Sequence, residues 1–353
     1  MLFTEALPLR ILCALVVAAL CAWGVTPSAE SLALRLHALD LPGERRRVHS
    51  RAVPRLGGLA IFTGFFASAL CFCAPGPALA GVLRGAVLIA LMGAADDCFS
   101  LRSPLKLAVQ LVAALTAFRA GARISSLTVP GPSRFVPVGE LSLPLTVLWM
   151  CACTNAMNLI DGLDGLAAGV AAIGALCMLL VAAAVSEGEI AVLLAALAGA
   201  CLGFLPYNRS PARIFMGDTG SQLLGYLLGA ASMLGMFKSH ALLTFFVPLL
   251  ALGLPLLDTA FAFTRRALRG QNPLHADRGH IHHRLLDMGL SPRNAVRLLC
   301  SVSAALGLAA VMLASQGSAA RALAALLMSF AGAAALSLIR ARALAKARAS
   351  RRG

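Results

Sequence analysis

The segment NAMNLIDGLDG, residues 155–165, sets two carboxamides and two carboxylates beside flexible glycines, between two long apolar runs. An ionised Asp at the centre of a bilayer helix costs about 2.5–3.5 kcal/mol even on the mildest insertion scale. No Lys or Arg lies near Asp161 and Asp164 in sequence, so a metal ion or a cationic partner from elsewhere is expected to compensate them. Asn155, Asn158, Asp161 and Asp164 recur at every third position, a spacing that keeps neighbours near one face of a helix or tight turn. Gly162 and Gly165 permit irregular backbone, which at membrane depth is tolerated only where it lines a wet cavity. A plain hairpin turn between two spans is the alternative, but turns seldom need so many acceptors aimed together. The stretch reads as a working site between membrane helices.

The rest of the chain supports a membrane setting. Apolar residues make up 59% of the 353 and the mean hydropathy is +0.84, against about 45–50% apolar content in soluble domains. Apolar runs of roughly 17–23 residues recur throughout. They predict an all-α, polytopic integral membrane protein, a single transmembrane domain over residues 1–353, with about eleven spans. The spans lie near 9–27, 54–74, 79–95, 105–121, 142–158, 164–185, 189–207, 220–237, 241–264, 295–315 and 319–339. Leu9 to Val25 lacks a small-residue cleavage site and reads as the first span, not as a signal peptide. The ten Cys are scattered, without the paired C-x-x-C spacing of a zinc site, and read as small buried helix residues.

A net charge of +15 could point to nucleic acid, but no aromatic-interleaved basic module accompanies it. Instead 23 of the 30 Lys and Arg, and six of the seven His, fall in the gaps after odd-numbered spans and in the tail. By the positive-inside rule those gaps are cytoplasmic, with the N-terminus outside and the C-terminus inside. They also hold nearly all the polar chemistry, which predicts a cytoplasmic-face active site. Ser125 to Leu143, rich in Val, Pro and Gly, reads as a short extracytoplasmic hairpin or loop. The basic tail, about 340–353, is expected to meet anionic headgroups. No internal repeat is present, which counts against a lipid or ion transporter built from duplicated halves.

Four further islands share that side. Asp96-Asp97 ends the third span; adjacent carboxylates raise each other's pKa unless a cation compensates, which suits a metal ligand or a general base, although a solvated helix end also explains them. Lys106 can answer a phosphate or one of these acids, or can snorkel. Arg213 to Ser221, RIFMGDTGS, adds Asp218, an oxygen ligand suited to Mg2+, just before a helix start able to hold an anion. Phe215 there could be a platform for a nucleobase or a core residue, with Asn208 and Arg213 as polar supports. In HADRGHIHHR, residues 275–284, His280, His282 and His283 suggest zinc at first sight. The hard acids elsewhere suit Mg2+ better, and with Arg278 and Arg284 the histidines read as a pyrophosphate cradle. The first island holds Asp40, Arg45, Arg46, Arg47, His49, Arg55 and the Gly57-Gly58 pair; Arg suits bidentate phosphate contacts. Asp258, inside the ninth span, is a functional candidate by default, with a nearby Arg as an alternative partner.

Taken in order, DLPGERRRVH…PRLGG at 40–58, ADD at 95–97, NLIDGLDGLAAG at 158–169, ARIFMGDTGS at 212–221 and ADRGHIHHRL at 276–285 resemble the polyprenyl-phosphate N-acetylhexosamine-1-phosphate transferase family. The resemblance runs from about residue 35 to 290 and is strongest to the bacterial branch that makes undecaprenyl-pyrophosphate-linked GlcNAc, with eleven spans and a cytoplasmic active site. It implies that GlcNAc-1-phosphate passes from UDP-GlcNAc to undecaprenyl phosphate with Mg2+ (or Mn2+), releasing UMP. Asp96 and Asp97 would then serve the lipid phosphate, one of them as base, and Asp218 would be the metal ligand, with Asp97 and Asp161 beside it. Asn155, Asn158, Asp161 and Asp164 would surround nucleotide and metal, Phe215 would stack on uracil, and His280, His282 and His283 would hold the pyrophosphate. Arg46, Arg47, His49, Lys106 and Arg278 would complete the substrate contacts. Arg46 and Arg47 stand where that family commonly has Lys, so the positive charge carries over but a Lys-specific role does not.

Three rivals follow: the phospho-MurNAc-pentapeptide transferase of peptidoglycan synthesis, the same fold with another UDP-HexNAc, and a catalytically dead scaffold. The first usually carries three consecutive His, interrupted here by Ile281, and the intact acids argue against the last. The expected location is the bacterial inner membrane, multi-pass, with no nucleic-acid partner; a homodimer is left open.

Overall fold

The structure, a computed structural model, describes residues 7–40, 52–128, 135–236, 249–268, 280–315 and residue 326. It is nearly all helical: α1 (Leu7–Arg35), α2 (Gly58–Phe72), α3 (Pro77–Phe99), α4 (Ser103–Arg119), α5 (Ser142–Ile160), α6 (Leu166–Ala184), α7 (Gly188–Asn208), α8 (Gly217–Met236), α9 (Gly253–Leu268), α10 (Ile281–Asp287) and α11 (Pro292–Ser315). Two short antiparallel ladders depart from the all-α expectation. β1 (Leu39–Asp40) pairs with β2 (Val53–Pro54), and β3 (Ser126–Thr128) pairs with β4 (Phe135–Pro137) in the hairpin expected within 125–143.

The first helix buries small residues and exposes large ones, the reverse of a helix in a soluble bundle. On α1, Ala14, Ala18 and Ala22 are fully buried at every fourth position, while Leu9, Leu12, Leu20 and Trp23 are more than half exposed. Lipid gives large apolar side chains no reason to go inside, so close backbone approach decides which face packs. The alanine stripe of α1 lies against α2, where Ser68 donates to the Ala14 carbonyl and a methyl added at Gly64 would strike Ala18 and Ala22. Beside it α1 packs on α7, where a methyl added at Gly199 or Gly203 would strike the carbonyls of Leu15 and Ala19, and α6 packs on both α7 and α11. At one end Arg10 ties the bundle together, donating to Glu189 (2.8 Å) and to the Phe72 carbonyl (2.6 Å).

Among the described residues six helices are long and apolar enough to cross a membrane: Leu7–Arg35, Pro77–Phe99, Gly139–Ile160, Leu166–Ala184, Gly188–Asn208 and Pro292–Met312. The chain is therefore a multi-pass membrane protein of packed helices. The expected spans near 54–74 and 105–121 correspond to α2 and α4, whose 15 and 17 residues fall short of the roughly 20 a straight crossing needs. The expected span at 319–339, and most of the first half of 241–264, lie outside the described residues.

Candidate active site

Two carboxylates at the C-terminal end of α3 are placed against the helix macrodipole, and the structure shows what offsets them. Asp97 accepts from both backbone and side chain at the first turn of α8: Asp218 N–H (2.9 Å) on Oδ1, and Thr219 N–H (3.0 Å) and O–H (2.6 Å) on Oδ2. The Arg55 guanidinium also reaches Oδ1, from Nε and from its terminal nitrogen, at 3.2 Å each. The Asp97 side chain is wholly buried. It thus caps a helix other than its own, at the end where free N–H groups favour an anion. Gly217, at φ +66°, makes that approach possible: a side chain there would collide with both Asp97 oxygens and the Arg55 carbonyl.

Asp96 turns the other way. Its Oδ1 accepts from Leu101 N–H (2.7 Å) and its Oδ2 from the Lys106 ammonium (3.0 Å), which also donates to Asp218 Oδ2 at 2.8 Å. Asp218 receives Asn158 Nδ2 (3.1 Å) and Gln222 Nε2 (2.8 Å) as well, and Asn158 reaches Ser221 Oγ (2.9 Å). Lys106 therefore stands between two acids 122 positions apart in the chain. Behind them Gln110 joins Gln222 (2.8 Å) to Asn155 (2.8 Å). Asn155 thus supports the cluster from one turn deeper in α5 and does not meet Asp218 itself. Gln110 and Gln222 escaped the sequence reading; an amide inside an apolar span, and a polar residue four positions after Asp218, were the available signals.

The 161–165 loop joins this cluster to two others. Asp161 is half-buried, and its carboxyl is pushed up to about 8, first by loss of solvation and then by the Asp218 and Asp97 charges. Asp164 accepts from Ala212 N–H (3.0 Å), and Asn208 staples the loop, accepting from Gly165 N–H (3.1 Å) and donating to the Ile214 carbonyl (3.0 Å). Arg213 pairs with Glu30 (3.0 Å) and lies over the Tyr207 ring. Phe215 is half-buried, and its backbone pairs with Pro54 and Gly57 (2.8 and 2.9 Å), which brings the first island to the start of α8.

The histidines meet the same loop. A Cβ at Gly162 would strike the His282 imidazole, so ring and loop backbone are in direct contact. His282 is buried, stacked on His280 (5.9 Å between centroids) and tilted on His283 (4.3 Å). Burial and its two histidine neighbours push its pKa down to about 4. Asp258, in α9, has His280 Nδ1 as partner at 3.0 Å and accepts from Ile281 N–H at 2.8 Å, the first turn of α10. Arg46, Arg47, His49 and Arg278 lie outside the described residues.

The donor set fits a hard divalent cation. Mg2+ is usually held by one or two carboxylates plus substrate phosphates, and Asp161, desolvated and beside the Asp218 and Asp97 charges, lies where positive charge would be offset. Asp218 and Asp161 would be the residues to take it, Asp218 in exchange for some of its present donors. Asp97, expected as a further ligand, has both oxygens engaged by Asp218 N–H, Thr219 and Arg55. Among the described residues no three His, Cys, Asp or Glu form a closed metal-binding group.

Comparison with known proteins places the chain in a family. The model for glycosyl transferase family 4 matches residues 79–236, which include Asp96, Asp97, Lys106, Asn158, Asp161 and Asp218. A Bacillus subtilis protein named probable undecaprenyl-phosphate N-acetylglucosaminyl 1-phosphate transferase is 39% identical over 87% of this chain and 86% of its own length. A Mycolicibacterium smegmatis decaprenyl-phosphate N-acetylglucosaminephosphotransferase is 39% identical over 80% and 77%. A Moorella thermoacetica phospho-N-acetylmuramoyl-pentapeptide-transferase is 34% identical over 75% and 86%. With identity of this extent across nearly the whole of its relatives, and with the matched acids gathered into one cluster, the chain belongs to glycosyl transferase family 4.

Proposed function

We propose that the chain transfers GlcNAc-1-phosphate from UDP-GlcNAc to undecaprenyl phosphate, giving undecaprenyl-PP-GlcNAc and UMP, as the first membrane step of a cell-envelope polysaccharide pathway. The observation that carries this reading is the Asp96–Lys106–Asp218 bridge, joined through Asn158 to the loop of Asp161. Both substrates are anionic, so the site must offset repulsion before they can meet. Lys106 and Arg55 supply fixed positive charge. Asp96, held by Lys106 and close to the Asp218 carboxyl, takes the proton from the lipid phosphate. An oxygen of that phosphate then bonds to the β-phosphorus of the donor; the bond from that phosphorus to the oxygen bridging the α-phosphate breaks, and UMP leaves with the bridging oxygen. Mg2+ (or Mn2+), held by Asp218 with Asp161, would neutralise charge on the donor diphosphate. Phe215 would stack on uracil, and His280, His282 and His283 would face the diphosphate.

The same reading places eleven spans in the bacterial inner membrane, with the site on the cytoplasmic face, the N-terminus outside and the C-terminus inside. The crowding of Lys, Arg and His into one set of loops supports it.

Release of UMP by the purified full chain, with undecaprenyl phosphate and UDP-GlcNAc, UDP-GalNAc or UDP-MurNAc-pentapeptide, tests the proposal. UDP-GlcNAc is expected to be the preferred donor. Asp218→Asn is expected to keep its melting temperature and lose release by at least about a hundredfold. Undiminished turnover in EDTA would refute the metal requirement, and preference for the pentapeptide donor would refute the sugar.

A further inference from the structure

A cavity of about 650 Å³ opens between the end of α7, the 209–213 turn, α6 and the start of α11. It is not the acid cluster: its lining includes Asp164 and Gly165 but none of Asn158, Asp161, Phe215 or Asp218. Four arginines surround it, Arg209, Arg213, Arg293 and Arg297, against one carboxylate, Asp164, which accepts from Ala212 N–H. Arg213 is occupied by Glu30 and the Tyr207 ring. The other three have no carboxylate within ion-pairing distance among the described residues; Arg293 Nε donates to the Ser210 carbonyl at 3.2 Å.

Nothing within the helices accounts for this grouping. Arg293 sits in the first turn of α11, where the macrodipole disfavours a cation. Arg297 follows four positions later, the spacing at which like charges repel on a helix. The arginines are exposed, and the apolar part of the lining, Leu205, Val296 and Cys300, is more buried. A cleft with cations at its rim and hydrocarbon at its base, between membrane helices, has the polarity profile of a phospholipid's first few ångströms. Basic pockets between membrane helices on the cytoplasmic side bind anionic lipid headgroups.

We propose that this cleft is a binding site for an anionic phospholipid, its phosphate held by Arg209, Arg293 and Arg297 and its glycerol and first methylenes resting on the apolar lining. The inference rests on the reading that this end of the bundle meets the membrane–water boundary, but needs no turnover to be tested.

Native mass spectrometry of the full chain in neutral detergent, with added phosphatidylglycerol or phosphatidylcholine, reads the site directly. Wild type is expected to retain one phosphatidylglycerol at least tenfold more tightly than phosphatidylcholine. The triple variant Arg209→Gln, Arg293→Gln, Arg297→Gln should lose about a hundredfold of that affinity, at about fivefold per arginine near an anionic headgroup. Its UMP release in detergent should match wild type. Val296→Trp keeps every arginine and fills the cleft, so it should lose the lipid as well; it decides the matter if the triple variant fails to fold. Equal retention of both lipids, full retention by either variant, or one-for-one displacement of the lipid by UDP-GlcNAc or inorganic phosphate overturns the proposal. Failure of the proposed transfer would show instead as wild type that releases no UMP while still retaining the lipid.

Discussion

Two aspartates in this molecule do the same thing in different ways. Asp97, near the end of α3, and Asp258, in α9, each accept backbone N–H from the first turn of a neighbouring helix, and each such helix carries residues of the candidate site. Asp97 holds the start of α8 and so fixes Asp218; Asp258 holds the start of α10 and, through His280, the histidines. The partners differ. Asp97 is held by Arg55, always charged, and by two amides and a hydroxyl that do not titrate near neutrality. Asp258 depends on an imidazole. The acid end of the site is thus anchored on a guanidinium, two amides and a hydroxyl, and the histidine end on one ring nitrogen and one amide.

The largest expected effect breaks the first anchor. Asp97→Ala leaves Arg55, two amides and the Thr219 hydroxyl without an acceptor in a buried place, and should cost on the order of 3–5 kcal/mol of stability, read as a fall in melting temperature in detergent. Asp97→Asn keeps the shape and loses the charge; it should recover part of the stability while turnover stays depressed. If Asp97→Ala melts like wild type, the capping account fails.

Breaking the second anchor should do less. Asp258→Asn can still accept from Ile281 N–H, but its amide hydrogens would oppose His280 Nδ1. About 1–3 kcal/mol is at stake, expected as about a tenfold rise in KM for the UDP-sugar with the KM for lipid phosphate unchanged. Equal changes in both would show that Asp258 serves the whole fold and not the histidine end.

The narrowest effect, confined to the histidine end, is read by pH. His282 has its pKa lowered to about 4 from an unfolded value near 6.5, so between those values the unfolded chain binds the extra proton. Its contribution is fully present above pH 6.5 and is lost as pH falls toward 4, by about 3 kcal/mol in all. Hydrogen exchange at α10 should accelerate over that window in wild type and stay flat in His282→Gln. Unchanged exchange at α10 over that window, or the same acceleration in His282→Gln, would overturn the account.

Which parts were readable beforehand follows from what each depends on. The expected spans at 142–158 and 189–207 appear as Ser142–Ile160 and Gly188–Asn208, because a bilayer imposes hydropathy along one dimension of the chain. The convergence of Asp96, Lys106, Asn158 and Asp218 was legible because unpaired acids in apolar surroundings need neighbours. The partner of Asp258 was not: Arg seemed eligible, and the structure supplies His280, 22 positions away. Nor was the saturation of Asp97, which requires α3 to approach α8 so closely that Gly93 has no room for a methyl beside Thr219. Crossing geometry of that kind leaves only a glycine as its trace, and a glycine says nothing about which helix arrives. The gap between α6 and α11 was equally invisible, since Arg209 and Arg297 lie 88 positions apart.

The packing of α1 has a temporal consequence. The partner of its alanine stripe, α2, follows within about 25 residues, but α7 begins about 150 residues on, so at roughly 5–20 residues per second of synthesis the Leu15–Ala19 side waits on the order of ten to thirty seconds. During that interval that side offers lipid only hydrocarbon, with no carboxylate or amide side chain. A nascent helix so plain has little to stick to wrongly, and Gly199 and Gly203 receive it with α8 to α11 still to come.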